Sequence, residues 1–93
     1  MYSKETVLNN SYQELSDCLF DLLKYDFAGL SIDCTTISLV NKMLDNTQLM
    51  IDNIDDFEWS DVMKVSQTNY TVIRMINTVL INQYDKIFTH KNK

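Results

Sequence analysis

One glycine, Gly29, and no proline in 93 residues constrain this chain more than any other feature. Tight hairpin turns need residues with positive φ, and phosphate-cradling loops need glycines that let the backbone approach an anion closely. With one glycine there are few tight turns and no phosphate-cradling loop. Most β architectures and every glycine-rich nucleotide site are thereby excluded, and an all-α chain remains. With 45% apolar and 23% charged residues, the chain is one helical domain spanning 1–93. A domain this small buries only about 60–65% of the surface that its unfolded chain exposes. It has little core to spare for an enclosed active site.

Apolar spacing places the helices. Leu8, Tyr12, Leu15, Leu19 and Leu22 step by four and three, with Phe20, Leu23 and Phe27 expected to widen the stripe. Ser3 or Thr6 can cap the start, and Gly29 is suited to a left-handed residue closing the end, with Leu30 folding back on it. A first helix is predicted over 4–28. Ser31 or Asp33 can cap a second, predicted over 35–53, where Ile37, Val40, Leu44, Thr47, Ile51 and Ile54 keep the period.

The next junction reads as a helix start. Asp55-Asp56-Phe57-Glu58 matches a capping box with Asp in place of Ser or Thr, and Ile54 and Trp59 fall where a hydrophobic staple would sit; Ser60 is a competing cap. A third helix is predicted over 56–90. Its stripe runs through Val62, Ser66, Asn69, Ile73, Ile76 and Leu80, but residues 65–71 are polar and rich in weak helix formers. The expected fold is a small antiparallel three-helix bundle with a long, overhanging C-terminal helix. A break near 67–70 would make it a four-helix bundle.

The net charge of −5 is sorted along the chain. Residues 1–32 carry −3, residues 33–61 carry −6, and residues 62–93 carry +4. Helix dipoles account for part of this, since Asp55, Asp56 and Glu58 would favour the positive start of the third helix. Asp52 does not fit, because an acid in the last turn of the second helix opposes the dipole. Asp45, Asp52, Asp55, Asp56, Glu58 and Asp61 thus form an acidic group at one end, with Trp59 inside it. An aromatic anchor ringed by charge suits a protein-binding surface. The bland reading is that Trp59 only staples the helix and packs into the bundle end.

Chemistry finds little to work with. The one histidine, His90, lies four residues from the end in a segment expected to fray, and a general base must be held in place. No serine, cysteine and histidine form a triad pattern. Asp17 and Asp21 share a helix face, but no Glu-x-x-His accompanies them, and residues 52–55 lack the alternation and the glycine of a calcium loop. Cys18 and Cys34 are expected as free thiols at different levels of the bundle, as in a reducing cytoplasm. Catalytic residues, metal and cofactors are expected to be absent. The basic residues Lys64, Arg74, Lys86, Lys91 and Lys93 are dispersed and not interleaved with stacking aromatics, so direct nucleic-acid binding is not expected. No twenty-residue apolar run or basic leader is present, and a cytoplasmic protein without membrane contact is expected.

The helix-turn-helix layout with Trp59 near a turn resembles the small secreted helical proteins whose turn carries Trp-x-Gly. Here the triplet is Trp59-Ser60-Asp61, without the glycine, and a third helix is expected. The alternative expectation is a structural or secretion-type helical protein that self-assembles or pairs with another helical subunit through its C-terminal helix. Apolar residues surrounding much of the C-terminal helix, including Met75, Val79 and Ile81, point the same way, toward a homodimer or a paired helical subunit. The preferred expectation is different: a small acidic, non-enzymatic protein that inhibits or neutralises a partner with a basic surface, in the manner of immunity proteins, antitoxins or phage anti-defence proteins.

Overall fold

A computed structural model of the chain describes residues 3–27 and 34–91, with side chains described for 3–25 and 34–82. The helices are α1 (Lys4–Phe27), α2 (Cys34–Asp52) and α3 (Trp59–Lys91), with a 3-10 turn at Ile54–Asp56 between the last two. The chain is a three-helix bundle, and α1 packs against both of the others. α3 runs unbroken through 65–71, so the four-helix alternative does not hold. The roles expected of Gly29, Leu30, Ser31 and Asp33 lie outside the described residues.

Heptad spacing explains why these helices pack. Among the described residues of α1, Leu8, Ser11, Leu15, Cys18 and Leu22 are buried, alternating by three and four. The same steps recur at Val40, Leu44 and Thr47 in α2, followed by Met50, and at Asn69, Ile73, Ile76 and Leu80 in α3, with Val62 one heptad before Asn69. The stripe on α1 is narrower than expected at Phe20, 69% exposed, and Leu23, 48% exposed, and the side chain of Phe27 lies outside the described residues.

Polar residues divide the core into two parts. The larger part gathers Leu15, Cys18 and Leu22 with Val40, Leu44 and three residues of α3. The smaller gathers Leu8, Met50 and Val62. Between them lies one buried polar residue from each helix. The Asn69 side-chain amide donates to Ser11 Oγ at 2.8 Å and to Thr47 Oγ1 at 3.0 Å, while the Thr47 hydroxyl donates to the Met43 carbonyl at 2.8 Å. A buried amide costs free energy unless it is hydrogen-bonded, and sliding one helix past another would break these bonds. The polar stretch of α3 is therefore where the three helices are held in register.

Asn69 and Ser11 share a level, which fixes the relative lengths. α3 begins ten residues before Asn69 and α1 seven before Ser11, so the first turn of α3 projects about 4–5 Å past the start of α1. At the other end α3 continues about 9 Å beyond the described end of α1. The molecule is accordingly long, 56 × 23 × 15 Å, with a radius of gyration of 15.6 Å against about 12 Å for a compact chain of this length.

Candidate functional site

The end of the bundle formed by the α2–α3 junction is assembled without glycine. At the end of α2, Asn53 donates through its backbone and side-chain amides to the Leu49 carbonyl, at 3.1 and 2.9 Å. The 3-10 turn follows, closed by Asp56 N–H to the Asn53 carbonyl at 2.9 Å and Phe57 N–H to the Ile54 carbonyl at 3.3 Å. Asn53 and Phe57 flank the turn at φ of −120° and −115°. Neither is left-handed, which is why the reversal needs no glycine there.

The helix start lies three residues later than the sequence pattern indicates. α3 begins at Trp59 instead of 56, and Glu58 is its N-cap: the Glu58 carbonyl accepts from the N–H groups of Asp61 and Val62, both at 3.1 Å. Asp61 reaches back, its carboxylate accepting from Glu58 N–H at 3.3 Å. That is the return arm of a capping box over 58–61, replacing the expected box over 55–58. The staple moves with it. Phe57 packs against the cluster of Leu8, Met50 and Val62, as Ile54 does, whereas Trp59, expected to pair with Ile54, belongs to neither cluster. The physical reason is that the 3-10 turn takes up 54–56, and extended Phe57 must then turn inward to cover the small core. Ser60 falls within the first turn and is not the cap.

This shift frees Trp59. As the first residue of α3 it stands on the turn that projects past α1, it is 46% exposed, and it belongs to neither core cluster. Asp52, Asp55, Asp56, Glu58 and Asp61 are all exposed on the same α2–α3 junction. Asp52 is the last residue of α2, its carboxylate accepting from the Gln48 side-chain amide at 2.9 Å, and no basic residue occupies that last turn. Asp45 is also exposed, but it sits seven residues back along α2, about 10 Å from Asp52, and is a flank of the group at most.

Two residues that build this end escape a reading of the spacing. The Lys4 ammonium donates to the Phe57 carbonyl at 2.7 Å, tying the start of α1 to the turn. It also sets one cation against the foot of the acidic end. Phe57 itself reads in the sequence only as a spacer within the expected box. No periodic signal marks either, because both act across 53 positions of chain.

The remaining candidates stay apart. Cys18 and Cys34 are free thiols, one buried and one exposed. Burial, and then the negative charge of Asp21, push the Cys18 thiol up from its ordinary value, so it stays protonated and poorly nucleophilic at neutral pH. Asp17 accepts from the Gln13 side-chain amide at 3.0 Å. Among the described residues no group of three His, Cys, Asp or Glu side chains is placed to hold a metal ion, and no helix is long and apolar enough to cross a membrane. The side chain of His90 lies outside the described residues. No protein-family model, curated protein or solved structure matches this chain.

Proposed function

We propose that this chain is a non-enzymatic binding protein whose acidic end seats on a basic surface of a partner protein and blocks it. The observation that carries the reading is Trp59, 46% exposed at the projecting end of α3 among Asp52, Asp55, Asp56, Glu58 and Asp61. A half-exposed indole supplies apolar contact area at the centre of such a surface, where interface energy concentrates. Five surrounding carboxylates accelerate encounter with a positively charged partner and reject an acidic one. An acidic helical end of this kind can occupy a groove that otherwise holds a phosphate backbone. Toxins, nucleases and nucleic-acid-binding defence enzymes offer such grooves, and immunity proteins, antitoxins and anti-defence proteins are the corresponding inhibitors. The cytoplasm is the compartment proposed for this action, in keeping with the free thiols.

Association kinetics with the captured partner test the reading. Asp52, Asp55 and Asp56 reversed together to Lys should slow association at least about tenfold at low salt and remove its salt dependence. Asp61 is left out of that variant because its carboxylate caps α3. Trp59→Ala should act mainly on dissociation. Unchanged kinetics in both variants would remove this surface from consideration.

A further inference from the structure

Lys4 carries a charge that its own helix disfavours. It is the first residue of α1, where the helix dipole is positive, whereas Lys24 stands in the last turn of the same helix, where a cation is favoured. Asp52 is the matching misfit of opposite sign, an acid at the end of α2 with no basic residue in that turn. The 2.7 Å bond from the Lys4 ammonium to the Phe57 carbonyl brings the start of α1 to the α2–α3 junction, so both misplaced charges lie at the same end of the bundle. Helix stability explains neither.

The acceptor explains what Lys4 does there. Phe57 lies between the 3-10 turn and α3 in extended conformation, with φ −115° and ψ 142°, and the first backbone bonds of α3 are received by the Glu58 carbonyl instead. The Phe57 carbonyl is therefore left to a side-chain donor, and its neighbours in the chain are the exposed acids Asp56 and Glu58. A carbonyl oxygen flanked by carboxylates is a receptor for a cation. In the free chain that cation is the part-buried ammonium of Lys4, supplied across 53 positions. We propose that Lys4 is an internal competitor at the acidic end: its ammonium holds the Phe57 carbonyl until a lysine or arginine of the basic partner replaces it. This rests on the acidic end being a docking surface and adds its regulation. A partner binds fully only in molecules whose Phe57 carbonyl has been released, so the contact lowers the apparent affinity for any cationic surface.

Titration with an N-acetylated hexa-arginine amide at low salt tests it, with the fluorescence of Trp59, the one tryptophan, reporting on the acidic end. Lys4→Met should bind the peptide about fivefold more tightly than the wild type, because the carbonyl is then free in every molecule. Lys24→Met changes the net charge equally but lies about 30 Å away along α1, and it should stay within about twofold of the wild type. Lys4→Arg keeps the cation and should also stay within about twofold. A second measurement uses the unaltered chain and so does not depend on Lys4→Met keeping its fold. On saturation with peptide, the NMR signal of the methylene next to the Lys4 ammonium should move to the position shown by Lys24. Peptide binding that Lys4→Met leaves unchanged or weakens, equal tightening by Lys24→Met or Lys4→Arg, or a Lys4 signal that stays in place would overturn the competitor and leave the acidic end standing. A wild type and variants that all give no fluorescence response would overturn both.

Discussion

The two parts of the core do different work. Among the described residues, eight buried side chains from all three helices form the larger cluster above the polar layer, and Leu8, Met50 and Val62 form the smaller one below it. The larger part anchors the fold. The smaller part supports the acidic junction, with Phe57, Ile54 and Ile51 only partly covered against it. The end proposed to meet a partner, with exposed Trp59 and several carboxylates, is thus built on the thinner packing and held by specific polar contacts. Local opening tracks packing density, so the junction is expected to exchange its amides faster than the upper bundle.

Truncations at matched positions on α1 break this comparison most severely. Leu15 and Leu8 are both fully buried. Leu15→Ala should lower stability by about 3–4 kcal/mol and Leu8→Ala by about 2 kcal/mol, because a thin cluster collapses more readily around a lost side chain. Urea unfolding of both variants checks the order, and a larger loss at Leu8 would reverse the roles given to the two clusters.

Next in size is the layer that separates them. Asn69→Ala should cost about 2 kcal/mol, since it opens a gap and removes the donor shared by Ser11 and Thr47. Replacing all three by apolar residues of similar size, with Ser11→Ala, Thr47→Val and Asn69→Leu, should recover most of that loss. If the triple variant is as unstable as Asn69→Ala, the layer contributes stability beyond its role in register.

Contacts at the junction give smaller effects. Lys4→Met removes the donor to the Phe57 carbonyl and should cost about 1 kcal/mol. Faster amide exchange should then be confined to residues around 54–58, and a change spread evenly over the bundle would contradict a local role for Lys4. Asp61→Ala removes the return arm of the α3 cap and should cost about 0.5–1 kcal/mol.

The smallest effect concerns pH and belongs to the upper part. Cys18 has its thiol raised by burial and by Asp21. The unfolded chain therefore releases that proton first, and stability is retained below the ordinary thiol value of 9.0 and falls as pH rises above it. Stability followed by denaturant from pH 7 to pH 10 should decline at the alkaline end, and Cys18→Ala should flatten that part of the decline.

The fold was largely legible because heptad spacing is a strong signal. Val40, Leu44, Ile73, Ile76 and Leu80 announce their burial by position alone, and the absence of proline left α3 free to continue. Asn69 and Thr47 also lie in the stripe, but spacing does not reveal that they meet each other and Ser11, since that depends on which levels of three helices coincide. The junction departs from the expected pattern for a related reason. Asp55 to Glu58 and Glu58 to Asp61 both satisfy the spacing of a capping box, and only the 3-10 turn at 54–56 decides between them. With the start moved to Trp59, the indole passes from a staple to a projecting position. The acidic character of the end was visible in composition, whereas Lys4 beneath it was not.

Comparative capture tests the central claim most directly. The wild-type chain and a variant carrying Trp59→Ala with Asp52, Asp55 and Asp56 reversed to Lys are immobilised and exposed to an extract of the cells that make the protein, at low and at high salt. A basic protein should be retained by the wild type at low salt, released as salt rises, and missing from the variant. The same proteins retained equally on both would contradict it.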